Sequence, residues 1–500
     1  MPTGGANGNL LQVLHSAGDH TAIILPELEL KLSYASLRRQ ILSISDDLFS
    51  AGIRSGDRVA MAMPNGLAAI VSLFAASITG TAVPLNPACP YHECLSLLKH
   101  VKARVLLSLS KGWEFARKAA ADLGIPVFTV QTGDDGTVRL RDRFEVSSAV
   151  PSVCDKIALL LHTSGSTGQP QSIPLPHSNL TISAANIVKT YSLSENDVSL
   201  CVMPLFHVHG IVASVLATFL SGGTVVVPTG FNPLAVWRLL HRYQITWYSG
   251  VPTMHKMLLS RLRQKIDTGS LRFIRSCSAP FSVESVHTME EMLGVPVVEA
   301  YGMTEAAHQV SSNPLPPLTR KAGSVGLAAG IEISIVDGNG NHLQTGERGE
   351  VVIQGPTVFS GYENNLEANV KAFVNGWFRT GDQGYIDKEC YLHLTGRLKD
   401  IIVRGAEKIS PIEVDQLLLK HPAVVEAVTF GYAHPKLGEE IAAAVVLHDH
   451  SGISELSLLK YCHQHLAEFK CPKKLYIVER IPTTATGKVR RCELAALLSR

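Results

Sequence analysis

Ile157-Ala158-Leu159-Leu160-Leu161 sets five apolar residues in succession immediately before His162-Thr163-Ser164-Gly165-Ser166-Thr167-Gly168-Gln169-Pro170-Gln171. A run without a polar face predicts a strand buried on both sides, as in a parallel sheet covered by helices. That commits this part of the chain to α/β layers. The tract after the strand has small side chains, so its backbone N–H groups can approach a ligand closely. Ser164, Ser166 and Thr167 add hydroxyl donors. Convergent donors without bulk suit phosphate oxygens, and the same composition suits a solvated turn. The Gly-Lys-Ser/Thr of the common nucleotide P-loop does not follow, and Pro170 excludes an immediate helix.

The flanking sequence repeats the strand–helix alternation. Leu37, Ile41, Ile44 and Leu48 recur at helical spacing up to Ala51-Gly52, and Val59–Met63, Val105–Leu109 and Val127–Val130 read as strands, with a helix over Glu114–Leu123. Between 155 and 330, strands are predicted at Ser199–Met203, Thr224–Val227, Thr246–Ser249, Phe273–Cys277 and Val297–Glu299. Helices are predicted near 210–220, 233–243, 253–264 and 283–293. From Ile331 the pattern changes to short alternating strands at Ile331–Val336, Gly349–Gln354 and Tyr391–Leu394, a β-rich unit punctuated by turns such as Gly338–Asn341. A last unit carries helices over Ile412–Leu419 and Leu456–Phe469 and strands over Val424–Phe430, Ala442–Leu447 and Leu475–Val478. The expectation is a large N-terminal region of layered α/β subdomains plus a β-rich subdomain (1–396), a linker at 397–400 and a small α+β domain (401–500).

Length and composition narrow the function classes. Five hundred residues allow roughly three domain-sized units. With 46% hydrophobic and 18% charged residues, the chain is a folded globular protein. A net charge of +2, from 45 basic and 43 acidic residues, gives no reason to expect nucleic acid or an anionic membrane as partner. Nine cysteines without CxxC pairs read as thiols of a reducing, cytoplasmic compartment. Val59–His92 lacks charged residues, but its Pro, Gly and Asn residues leave a helix of only about 14 residues, too short to span a bilayer. The N-terminus lacks the regions of a secretory signal, and Leu498-Ser499-Arg500 is not the Ser-Lys-Leu peroxisomal address.

Four further tracts carry chemistry. Pro204-Leu205-Phe206-His207-Val208-His209-Gly210 places His and Phe at a strand end, suited to a pocket wall or equally to core. His207 and His209 lack the partner Cys or carboxylate spacing of a zinc site. In Val298-Glu299-Ala300-Tyr301-Gly302-Met303-Thr304-Glu305, Tyr301 offers a flat face for a base, Thr304 a hydroxyl for a phosphate and Glu305 a hard oxygen for Mg²⁺. A helix start, with Thr as cap and an acid in the first turn, fits equally well. Arg379-Thr380-Gly381-Asp382 reads as a strand-end turn whose Asp382 could hold a ribose diol or simply cap its own backbone. Lys488, in Thr483-Thr484-Ala485-Thr486-Gly487-Lys488, is positioned to reach an anion or to be solvated. Cys462-His463-Gln464-His465 lies in an amphipathic helix and reads as a solvated face.

In their order, Thr-Ser-Gly-Ser-Thr-Gly, Pro-Leu-Phe-His, Glu-Ala-Tyr-Gly-Met-Thr-Glu, Arg-Thr-Gly-Asp, Gly-Arg-Leu-Lys-Asp and Thr-Gly-Lys resemble the adenylate-forming superfamily of acyl-CoA synthetases, adenylation domains and luciferases. Glu305–His308, Ser311–Pro316, Lys321–Gly326 and Glu407–Asp415 most resemble the oxalate–CoA ligases of plants and fungi. The resemblance implies an acid–CoA ligase that uses ATP, Mg²⁺ and coenzyme A and forms an acyl-adenylate, then a thioester. By matching motif it implies that Thr163, Ser164, Gly165, Ser166, Thr167 and Gly168 hold the β- and γ-phosphates. It assigns Thr304 to the α-phosphate and Glu305 to Mg²⁺. Asp382 falls to the ribose with Arg397 beside it, Tyr301 and Ser278-Ala279-Pro280 surround adenine and acyl group, and Lys488 bridges the α-phosphate and carboxylate. It further implies a mobile C-terminal domain hinged at Lys399-Asp400, with Gly405-Ala406-Glu407-Lys408 as the loop facing the thiol channel. Peroxisomal location also occurs in the family.

Ile211–Phe219 contains no acid, where amino-acid-activating relatives carry an Asp, so an amino acid is not the expected substrate. His207, Ser278 and His308 are the expected donors to a second carboxylate, as in a small dicarboxylate such as oxalate. Two positions depart from the pattern. The family's Pro-Lys-Gly is Pro170-Gln171-Ser172, and its Gly-Gly-Glu-Lys is Gly405-Ala406-Glu407-Lys408. The lost lysine motivates a third reading, a weakened nucleotide-binding pseudo-ligase. A second reading, an enzyme loading a carrier protein, needs a separate partner.

Overall fold

The computed structural model describes residues 9–14, 18–141, 157–164, 170–405, 407–448, 451–482 and 491–498, which form four sheets. One has seven strands in the spatial order Val138–Leu140, Val127–Thr132, Val105–Leu109, Arg58–Ala62, Thr81–Pro84, Ile157–Ser164 and Pro170–Pro176. Its five central strands run parallel and only the two edges are antiparallel. A nine-stranded sheet follows the same rule: six parallel strands from Val297–Met303 across to Thr21–Leu25, with antiparallel strands at both edges. Ala158, Leu159, Leu160 and Leu161 are all buried, as a strand covered on both faces requires.

Helices between the layers account for the apolar periodicity. Tyr34–Ser50 begins at Ser33, whose hydroxyl accepts from the Ser36 N–H at 3.2 Å, and it buries Leu37, Ile41, Ile44 and Leu48. Leu67–Thr79 is buried almost all round, which explains the missing charges of that stretch. Among the described residues no helix is long and apolar enough to cross a membrane.

The β-rich unit is an antiparallel five-stranded sheet built on Trp377–Ile386, which pairs with Gly349–Gln354, Phe373–Val374 and Leu392–Arg397. Arg379–Asp382 therefore does not form the expected strand-end turn. It lies inside a ten-residue strand, where the register slips opposite Glu350–Val352. After Arg397 comes a single turn, Leu398–Asp400, and then a fourth sheet built on Val424–His434 and Gly438–Leu447, with Ile402–Arg404, Glu407–Ile409 and Lys474–Ile477. The expected Leu456–Phe469 helix stops at His465. Cys462 within it turns into the core beside Leu458, while His463 and His465 are exposed. Lys256 Nζ donates to the Val425 carbonyl at 3.2 Å and ties this last sheet to the nine-stranded layer.

Candidate active site

The Ser/Gly tract is bracketed by two strands paired antiparallel. Ile157–Ser164 runs out, Pro170–Pro176 returns antiparallel, and Leu161 pairs with Ile173, Thr163 with Gln171 and Ser164 with Pro170. Gly165, Ser166, Thr167 and Gly168 lie outside the described residues, as do Ala406 and Lys488. The base of the hairpin is anchored on its return strand. His100 Nε2 lies 3.0 Å from Ser172 Oγ, the Ser172 carbonyl accepts from the Glu363 N–H at 3.0 Å, and Glu363 is ion-paired to Arg58. Burial, then the neighbouring His100, pushes His162 down to about 4, so this ring just before the tract is neutral at physiological pH.

A second hairpin carries the acidic motif. Val297–Met303 extends well past Glu299, bulges at Tyr301/Gly302, turns once through Thr304–Ala306 and returns as His308–Ser312. Of the turn and helix start that the sequence also allowed, the turn is found, as a single three-residue 3₁₀ turn with Glu305 in it and Met303 rather than Thr304 at the cap position; no longer helix follows. Ala307 and His308 follow the turn at φ values of 48° and 105°, left-handed conformations that cost a non-glycine residue energy. A Cβ on Gly302 would meet the His308 carbonyl oxygen at 2.1 Å, so the bulge needs glycine. Thr304 and Glu305 are both buried. The Glu305 carboxylate accepts from the Tyr362 hydroxyl at 3.2 Å, and its carbonyl accepts from the Phe359 N–H at 2.8 Å.

The β-rich sheet meets this hairpin at Asp382. Tyr301 donates its hydroxyl to Asp382 Oδ2 at 2.5 Å, and Arg397, its cross-strand partner, places Nε 3.0 Å from Oδ1. Burial and then the Asp382 charge hold the Tyr301 phenol well above its usual range. Asp382, first among the causes, likewise raises the Arg397 guanidinium. Glu350 positions the group. Its carboxylate receives Arg379 Nη2 at 2.5 Å and the Gly381 N–H at 3.1 Å, fixing the slipped register that delivers Asp382. Sequence reasoning missed Glu350, because only the pairing of the strands reveals it.

The three expected acid-site residues meet through a fourth. His209 Nδ1 lies 3.2 Å from Ser278 Oγ, and its ring stacks on His308 with centroids 4.9 Å apart. His207 stands two residues earlier and accepts the His209 N–H at its Nδ1, 3.3 Å away. His209 opens an eight-residue segment, His209–Leu216, with i→i+5 hydrogen bonding, a wide turn frequent at functional sites. Gly210 permits it, since a Cβ there would meet the Pro204 carbonyl oxygen at 2.4 Å. Beneath His209 lies Arg275, which is fully buried. It donates from Nη1 to Ser249 Oγ (2.9 Å), from Nη2 to Gln309 Oε1 (3.2 Å) and from Nε to the Tyr191 hydroxyl (2.8 Å). The sequence signal for Arg275 was available: a charged residue in the middle of the apolar strand Phe273–Ser276.

Gly405 occupies the turn between Ile402–Arg404 and Glu407–Ile409, at φ 64°, with its N–H donated to the Leu437 carbonyl at 2.7 Å. At the expected hinge, Asp400 Oδ2 lies 3.9 Å from Arg491 Nε, while Arg491 Nη2 pairs with Asp415 at 2.7 Å.

Two hairpins, a Tyr–Asp–Arg group and a cluster of histidines are thus drawn from three different sheets. The family model described as AMP-binding enzyme matches residues 12–363, and AMP-binding enzyme C-terminal domain matches 413–488. The chain is 42% identical to a probable CoA ligase, CCL9, of Humulus lupulus, over 97% of this chain and 94% of that protein. It is 41% identical to the oxalate–CoA ligase of Arabidopsis thaliana, over 92% of each. The crystal structure of ATP-bound MatB from Rhodopseudomonas palustris superposes with a TM-score of 0.90 at 30% identity, covering 98% of this chain and 99% of that one. Fold, motifs and full-length similarity agree: this chain belongs to the AMP-binding enzymes, as an adenylate-forming acid–thiol ligase of the acyl-CoA synthetase type.

Proposed function

We propose that this ligase activates a small dicarboxylate, oxalate in first place, and transfers it to coenzyme A. The observation that carries the reading is the cluster of Ser278, His209 and His308, with His207 adjoining. It puts hydroxyl and imidazole donors, rather than an apolar wall, where the acid's far end would lie, and a second carboxylate needs donors of that kind. Similarity to an oxalate–CoA ligase over nearly the whole chain supports it.

The roles are those the family resemblance implies. The hairpin tip 163–168 cradles the β- and γ-phosphates. Asp382, oriented by Tyr301 and Arg397, accepts the ribose hydroxyls, and Tyr301 lies along the adenine. Thr304 donates to the α-phosphate from the second hairpin. Glu305 fits Mg²⁺: a buried hard-oxygen carboxylate whose neighbour Tyr362 is a neutral phenol. When bound there, the ion neutralises phosphate charge. One carboxylate of the acid attacks the α-phosphorus, pyrophosphate leaves, and Lys488 stabilises charge on the α-phosphate and the attacking oxygen. The thiol then displaces AMP. The domain beyond the 397–400 hinge rotates between the steps, exchanging Lys488 for the Gly405–Lys408 loop. Free thiols such as the buried Cys89, Cys201 and Cys277 fit a reducing compartment such as the cytosol.

The test is incubation of the purified protein with ATP, Mg²⁺ and a panel of acids, with and without coenzyme A. Oxalate-dependent AMP release and oxalyl thioester are expected. Medium-chain or aromatic acids outrunning oxalate and malonate would sink the dicarboxylate reading. Adenylate that ignores coenzyme A would point to a carrier protein as acceptor, and ATP binding without turnover to a pseudo-ligase.

A further inference from the structure

Arg275 is 0% exposed, yet it hydrogen-bonds to Tyr191, Ser249, Gln309 and the His209 ring, with the Cys277 thiol also beside it, and no carboxylate is among these partners in the described residues. Burying a guanidinium without a counter-charge is costly. A short polar chain runs from it to the acid pocket: Arg275 Nη1 to Ser249 Oγ at 2.9 Å, Ser249 Oγ to His209 Nε2 at 2.6 Å, and His209 Nδ1 to Ser278 Oγ at 3.2 Å.

We propose that Arg275 is a positioning residue that fixes the direction of this chain, so that Ser278 presents its hydroxyl hydrogen to the far carboxylate of the acid. Arginine has five donors and no acceptor. Ser249 therefore accepts from it; a hydroxyl can accept twice, and it is the second Arg275 N–H, aimed at His209 Nε2, that disfavours a proton on that nitrogen and leaves it to accept from Ser249. Arg275 Nη1, 3.4 Å from that same nitrogen, reinforces Nε2 as an acceptor. With Nε2 accepting, the imidazole carries its proton on Nδ1 and donates it to Ser278 Oγ. The Ser278 hydrogen has to point away from His209. Ser278 is only half-buried and held at φ 76°, so its hydroxyl is available at the pocket face. Each bond in such a chain polarises the next, with a positive charge at its closed end. Without Arg275 the chain can reverse: Ser278 donates inward and turns its lone pairs toward the substrate's carboxylate.

This inference rests on the dicarboxylate reading, and the experiment separates the two. KM for oxalate, acetate and ATP is measured in the wild type and in Arg275→Met, Arg275→Lys and Ser249→Ala, with thermal melting as the fold control. Acetate carries a methyl group where oxalate carries its second carboxylate. The wild type should prefer oxalate strongly. Arg275→Met should raise the oxalate KM by roughly ten- to a hundredfold, as expected for loss of a charge-assisted bond, and leave the ATP KM within about twofold. Lysine, also a donor without an acceptor, should recover most of the loss. Ser249→Ala breaks the chain while the guanidinium stays in place, so it tests the idea even if Arg275→Met does not fold, and it should shift oxalate alone. Oxalate preference surviving both Arg275→Met and Ser249→Ala, or oxalate and ATP losing affinity in parallel, overturns the role of Arg275 and leaves the dicarboxylate reading standing. A wild type that uses acetate as well as oxalate, or only acids with an apolar far end, overturns both.

Discussion

Thr163 and Gln171 stand directly opposite each other across the hairpin that carries the Ser/Gly tract. The residue where relatives of this type carry lysine is therefore level with the first residue of the tract proposed to hold the phosphates. Gln171→Lys should strengthen the grip on the outer phosphates. A charged hydrogen bond contributes roughly 1.5–3 kcal/mol, so the adenylation rate or ATP affinity should rise roughly ten- to 150-fold at the upper limit. Pyrophosphate exchange measures it. No change would mean that the loop backbone and Lys488 suffice.

Asp382 holds two partners at once, the Tyr301 hydroxyl and Arg397 Nε. Asp382→Asn keeps the shape but removes the charge, taking from Arg397 its ion-pair partner and halving the acceptor capacity toward a ribose. The ATP KM should rise by roughly ten- to a hundredfold, with the acid KM nearly unchanged if the acid binds on the His209 side, as proposed. Titration with ATP and with 2′-deoxy-ATP checks the assignment. A variant that loses both nucleotides equally from a wild type indifferent to the 2′-hydroxyl would remove Asp382 from the ribose.

How much of this was legible in the sequence depends on the range of the interaction. Apolar periodicity is local, so Val105–Leu109, Gly349–Gln354 and Val283–Leu293 are found where the pattern puts them. Tracts whose conformation is decided by a distant partner read wrongly. Arg379–Asp382 has the Gly and Asp of a turn, but Glu350 clamps it into a continuous strand. Thr304–Glu305 has the look of a helix start, but close packing of Gly302 on the His308 carbonyl folds it back as a hairpin. The same holds at the pocket. Ser278 and His308 are found together, whereas their link through His209 and the buried Arg275 exists only once strands Trp247–Gly250 and Phe273–Ser276 lie side by side.

Glu299 sets a pH dependence of stability rather than of chemistry. It is buried, its Oε2 accepts from the Gly323 N–H at 2.9 Å, and burial pushes its carboxyl from 4.5 up to about 7. Below pH 4.5 it is protonated in folded and unfolded chains alike and contributes nothing. As pH rises toward 7 the unfolded chain ionises first, so stability falls, and above 7 the penalty is constant. The difference corresponds to about 3 kcal/mol. Glu299→Gln keeps an acceptor for Gly323 and should melt higher than wild type at pH 8 and equal to it near pH 4. A variant less stable at pH 8 would show that the ionised form is the one the fold prefers.

Gly302 is the residue on which the second hairpin depends. A methyl group there would meet the His308 carbonyl oxygen at 2.1 Å, its carbon at 2.8 Å and the imidazole Nδ1 at 3.3 Å. The first two are backbone atoms that no rotamer change can move aside, so the strands must separate. Overpacking of this kind costs about 1–3 kcal/mol. The displacement falls between Tyr301, which orients Asp382, and His308, which stacks on His209. Gly302→Ala should therefore raise the KM values of ATP and acid together, unlike Asp382→Asn or Arg275→Met, which each touch one. Lower melting temperature accompanied by a change in only one KM would show that the two halves of the site are supported independently.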